Sequence, residues 1–172
     1  MYRRRRIETK AICAYAVFGL LILLLQTTFA RLIAIGAIAP MLLIPAAACV
    51  GMQEGERVGA VFGLVLGFLC DATVGALMCY YALLLLAVGY FAGKMADGGA
   101  GAGIIPLYVI ELGTYVASIL LYLLYTVVVV GNMGGFGSII GIYFYEFLYS
   151  VPFAAGIYFL SEWIHIKFGD GR

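Results

Sequence analysis

The chain has 172 residues, 65% of them hydrophobic and 11% charged, with a mean hydropathy of +1.10. A soluble domain carries about 25% charged residues, so this composition excludes an ordinary soluble protein and reads as one integral membrane domain over 1–172. The net charge of +1 points to no nucleic-acid partner; how charge is distributed says more than its sum.

The N-terminus is basic, with Arg3, Arg4, Arg5, Arg6 and Lys10, and an apolar run over 11–30 follows. About 20 residues at 1.5 Å each cross a hydrocarbon core roughly 30 Å thick. Thr28-Phe29-Ala30 loosely resembles a signal-peptide cleavage site. The rest of the chain is equally apolar, so the run is read as an uncleaved first span, with the arginines anchoring it against anionic lipid. Arg31 marks a short turn, and a second span covers 32–52. Pro40 and Pro45 fall inside it, and each proline removes an amide donor and crowds the preceding turn. The second span is therefore predicted to be kinked or broken.

A polar turn at 53–57 leads into a third span over 56–71, and Asp71 to Gly75 form the next turn. A fourth span covers 76–93. Residues 94–103, KMADGGAGAG, read as a flexible glycine-rich linker. The fifth span covers 104–130, a glycine-rich turn follows at 131–137, and the sixth covers 138–164. Trp163, His165 and Lys167 close it with a mixture typical of a membrane interface. The expected fold class is all-α: a polytopic membrane protein of about six transmembrane helices. With the N- and C-termini in the cytoplasm, Arg3 to Arg6, Lys10, Arg57, Lys94, Lys167 and Arg172 lie inside and only Arg31 lies outside. The positive-inside rule selects that orientation, which makes the protein a multi-pass one with both ends in the cytoplasm.

Glycine recurs at 51, 55, 59, 63 and 67, and the series runs on to Asp71 and Gly75. Residues four apart share a helix face, so Gly55, Gly59, Gly63 and Gly67 are expected to form a smooth groove on one helix. In a bilayer such a groove lets another helix backbone come close. It either packs the chain's own helices or docks a partner's helix. On the docking reading, Gly63→Leu and Gly67→Leu break partner binding and leave the monomer inserted.

Carboxylates at Asp71, Glu111 and Glu146 fall in or at the edge of spans. A charge at the bilayer centre costs roughly 2.5–3.5 kcal/mol on insertion scales, so such groups face a protein interior or a site. Tyr108, Glu111, Tyr115, Ser118, Tyr122 and Tyr125 recur at spacings of three and four, one helix face. Tyr143, Glu146 and Ser150 share a face on the last span. Three roles stay open for these groups: contacts between helices, a ligand cavity lined by Glu111, Tyr115, Tyr122 and Glu146, or a face for a partner's helix. Cys13, Cys49, Cys70 and Cys79 lie in apolar runs without CxxC spacing and read as small core residues. His165 is the only histidine. A metal site or a histidine-based catalytic triad has little to be built from, and the reading is of a protein that is not an enzyme and holds no cofactor.

Several of these stretches resemble the bacterial rod shape-determining MreD family. They are the basic N-terminus, Leu23-Leu24-Leu25-Gln26-Thr27-Thr28, the segment with Ile35-Gly36 and Ala39-Pro40, and the glycine-spaced helix Gly55, Gly59, Gly63, Gly67, Asp71, Gly75. The span ending Val88-Gly89-Tyr90-Phe91-Ala92-Gly93 continues the likeness. The family typically has an aspartate after that proline, whereas this chain has Met41. The second half matches only in hydropathy and number of spans. The resemblance implies a non-enzymatic subunit of the cell-elongation machinery that supports lateral peptidoglycan synthesis. Its implied partners are the single-span protein MreC, RodA, a class B penicillin-binding protein and MreB; self-association is left open. The family is similar in fold to the substrate-binding S components of energy-coupling-factor vitamin transporters. A vitamin-type transporter subunit is therefore the competing reading.

Overall fold

The computed structural model describes residues 9–29, 32–34, 38–74, 79–125 and 136–168. Among them it contains six α-helices: α1 Thr9–Leu24, α2 Leu43–Glu54, α3 Glu56–Val74, α4 Tyr80–Met95, α5 Ile104–Tyr125 and α6 Phe136–Phe168. Wider turns continue α1 over Leu25–Phe29 and α4 over Ala96–Ala100. Two stretches, Ile104–Leu124 and Ile140–Lys167, are long and apolar enough to cross a membrane.

The second predicted span is broken rather than continuous. Residues 39–42 are not helical, and only Leu43–Glu54 form a helix. Pro45 sits in its first turn, where a missing amide costs nothing, and Pro40 lies in the irregular lead. Twelve residues rise about 18 Å, too short to cross a bilayer core without the irregular residues 38–42 that lead into them. The helix compensates by burial, for Leu43 to Met52 are all buried. It forms the centre of the bundle, and the longer helices surround it.

The glycine series does not run along one helix. Gly51 belongs to α2, and Gly55 stands between α2 and α3 with φ +95. That left-handed backbone suits glycine and ends α2, while the Gly55 amide donates to the Gly51 carbonyl at 2.9 Å. Gly59, Gly63 and Gly67 remain, on the face of α3 turned toward α4. A Cβ at Gly63 would overlap the main-chain carbonyl of Leu85, and one at Gly67 that of Tyr81. Gly59 meets Gly51 and Gly89, so α2, α3 and α4 touch at one glycine from each. Gly93 closes the row against the backbone of Glu56. As α3 positions rise by fours, α4 partners fall by fours, which makes the pair an antiparallel hairpin with a fixed register. The expected linker over 94–103 is shorter than its composition suggests. Helix α4 continues through Met95, and the break comes at Gly99 and Gly101, both with positive φ.

Asp71 secures the far end of this hairpin. Its carboxylate accepts from the amides of Tyr81 at 3.2 Å and Ala82 at 3.0 Å. These are donors that the first turn of α4 cannot satisfy internally, and Cys79 at the cap position makes no side-chain bond to them. Asp71 thus acts as an N-cap supplied from the neighbouring helix. Asp71→Ala is expected to cost about 1–2 kcal/mol and Asp71→Asn less, read from denaturation of the protein in detergent. Gly75, the last member of the predicted docking row, lies outside the described residues.

Helix α5 places its polar side chains inward. Glu111, Thr114, Tyr115 and Ser118 are buried, while Ile105, Val109, Leu112, Val116, Leu120 and Leu124 are exposed. On α6, Ser150 and Ser161 are buried and Phe144, Leu148, Phe159 and Ile166 are exposed. A water-soluble helix has the opposite arrangement.

Candidate functional site

Three groups of polar side chains sit between the helices. The first joins α1, α2 and α6 at the end of the bundle where α1 begins. Tyr15 donates its hydroxyl to Oε1 of Glu54 at 2.7 Å, and His165 Nδ1 lies 2.9 Å from the same oxygen. The amide of Gln53 and the hydroxyl of Ser161 are 3.0 Å apart one turn further in. Lys167 stacks over Trp163 at 4.6 Å and Lys94 over Tyr90 at 5.7 Å.

The second group holds the irregular lead of α2. Gln26 accepts from the Leu42 amide at 2.6 Å and donates to the Pro40 carbonyl at 3.2 Å. The Met41 amide donates to Ser150 Oγ at 2.8 Å, and Ser150 Oγ lies 3.1 Å from the Tyr115 hydroxyl. Gln26, from the polar residues that end the first apolar run, therefore fastens the proline segment. A non-helical chain buried in this way needs its amides satisfied, and side chains from α1 and α6 supply the partners. Sequence reasoning marked both stretches but not their pairing. Ser150 was singled out only for sharing a face with Glu146.

The third group surrounds a cavity of about 250 Å³ between α4, α5 and α6. Tyr80, Tyr81, Tyr115, Tyr122, Tyr143 and Glu146 line it. Ser118 and Met41 also reach it. Tyr115 and Tyr122 are seven residues apart on α5, so the cavity extends about 10 Å along that helix. It lies at the end of the bundle where α4 begins and α5 ends. Among the described residues no hydrogen bond or ion pair reaches the Glu146 carboxylate.

The four residues predicted to line a ligand cavity divide. Tyr115, Tyr122 and Glu146 do line it, but Glu111 does not. Glu111 lies one turn before Tyr115, fully buried at 0% exposure, and neither carboxyl oxygen has a hydrogen-bond partner among the described residues. Tyr80, Tyr81 and Tyr143 were not predicted as lining residues. The first two open α4, and their meeting with α5 is not encoded by any local spacing. The side chain of Tyr125, last of the predicted stripe, lies outside the described residues. Of the two readings of the glycine face, the geometry agrees with packing of the chain's own helices, since α4 covers Gly59, Gly63 and Gly67. Among the described residues, no three His, Cys, Asp or Glu side chains cluster as metal ligands would.

Among the described residues, fold and site together define a helical body with an apolar exterior, a polar seam inside and an aromatic, acidic cavity. No family model, curated protein or solved structure matches the chain.

Proposed function

We propose that the chain is a non-enzymatic, six-span membrane subunit of the bacterial cell-elongation machinery, with both termini in the cytoplasm. The carrying observation is an order of motifs that resembles the MreD family, three of which have a physical role in the fold. Gln26 fastens the Pro40 segment, the glycine row seats α4, and Asp71 caps it. The apolar exterior of α5 and α6 around buried polar groups supports membrane insertion. Arg57, Lys94 and Lys167 all stand near the helix ends on the side where α1 begins, which supports the cytoplasmic assignment.

A partner helix such as that of MreC then docks on an uncovered face, since α4 fills the glycine groove. Conditional depletion in the native host tests the role directly. The expected result is rounding of rod-shaped cells with loss of lateral peptidoglycan labelling. Depleted cells that keep their rod shape and their labelling would reject the proposal. The cavity beside Glu146 favours a second reading, a solute-binding transporter subunit, which predicts unchanged shape and impaired uptake of one nutrient.

A further inference from the structure

We infer that the cavity between α4, α5 and α6 binds an organic ammonium group, held by the rings of Tyr80, Tyr81, Tyr115, Tyr122 and Tyr143 and neutralised by Glu146. The inference rests on neither functional reading above, because the chemistry of the lining carries it.

The rings are set at angles to one another. Tyr80 and Tyr81 meet edge to face with centroids 5.2 Å apart and planes at 77°. Tyr115 and Tyr143 do the same at 6.5 Å and 68°. Rings at such angles within a pair are able to stand as adjacent walls of one space, the arrangement that encloses a cation rather than stacking on a flat ring. Among the described residues no Lys, Arg or His lines the cavity, so there an anion would meet ring faces and a carboxylate. A neutral polyol could use the phenols and Ser118, but it would make no use of the ring faces. A cation satisfies both the rings and the carboxylate at once.

Size narrows the guest further. A volume of about 250 Å³ lies below the roughly 300–1,000 Å³ of sites for drug-sized ligands. It suits a head-group-sized amine. Two sources share that chemistry: the head group of an aminophospholipid in the surrounding membrane, or a soluble amine.

The test uses the full chain in mild detergent, titrated calorimetrically with choline and with its uncharged isostere 3,3-dimethylbutanol. Choline is expected to bind at least about tenfold more tightly than the isostere. Glu146→Gln should weaken choline binding by about tenfold or more while the protein keeps its melting temperature. Tyr122→Leu, at the rim, should weaken it as well, and Tyr122→Phe should retain most of it. If the lipid head group is the natural guest, native mass spectrometry finds retained phosphatidylethanolamine. Nanodiscs containing that lipid then compete with choline, whereas nanodiscs of phosphatidylglycerol alone do not. If a soluble amine is the guest, both nanodiscs bind choline equally. Equal affinity for choline and its isostere would overturn the inference, as would full binding by Glu146→Gln. So would the absence of choline binding together with no retained phosphatidylethanolamine.

Discussion

Gly63→Leu is expected to disrupt the α3–α4 hairpin itself, not a surface contact. A Cβ at this position would overlap the carbonyl oxygen and carbon of Leu85, and both are backbone atoms that cannot rotate away. The helices must separate along their whole contact, which also pulls Gly59 from Gly89 and Asp71 from the first turn of α4. Overpacking a tight interior costs typically 1–3 kcal/mol and sometimes more; with leucine against backbone, about 3 kcal/mol or more is expected. Gly63→Ala should be milder but still destabilising, even though alanine gains about 1 kcal/mol in helix propensity over glycine. The contrast is with Gly113, Gly141 and Gly156. A Cβ at any of these meets nothing within 4 Å. Alanine there should be neutral or stabilising by up to about 1 kcal/mol. Denaturation of the purified variants in detergent reads both effects. If Gly63→Leu melts like the parent and only loses a partner, the groove is external and the hairpin register is wrong. If Gly113→Ala is as harmful as Gly63→Ala, spacing between helices is not what distinguishes the two glycines.

The same comparison shows how far local pattern carries. The four-residue glycine period identified a face where backbones touch, and it identified the correct face of α3. It could not say what covers that face, because the cover comes from α4 and the register between them is a tertiary fact. Nor could periodicity separate Gly55 from Gly59. Both occupy the same place in the repeat, yet one sits at φ +95 between helices and the other inside a helix. The polar stripe on α5 was readable because 3.6-residue periodicity places Glu111, Tyr115 and Ser118 together, and all three are buried. The cavity was only partly readable. Its α5 and α6 walls follow from spacing along single helices, while Tyr80 and Tyr81 arrive by the fold of the hairpin. The clasp of Glu54, His165 and Tyr15 left almost no local trace, since its members lie 39 and 111 residues apart in sequence.

Glu111 gives the other large expected effect, in the opposite direction. Its side chain is wholly enclosed and both oxygens lack partners among the described residues. The phenols on the same face are already engaged, Tyr115 with Ser150 and Tyr108 with the Val151 carbonyl. A buried polar group without a partner costs roughly 1–3 kcal/mol, and exchanging it for an apolar group of similar shape recovers that cost. Glu111→Met is therefore expected to stabilise the protein by about 1–3 kcal/mol, with a higher melting temperature in detergent. Methionine is the suitable replacement because its flexible thioether adapts to an irregular space. Glu111→Gln keeps a polar group in the same apolar setting and should give little or none of the gain. A stabilised Glu111→Met variant that still supports rod growth would assign the carboxyl no task. One that is stabilised but fails to support growth would show that the carboxyl is kept for function at the expense of stability. Loss of stability in Glu111→Met, with Glu111→Gln close to the parent, would instead mean that the carboxyl is hydrogen-bonded in the folded protein, most simply through an enclosed water.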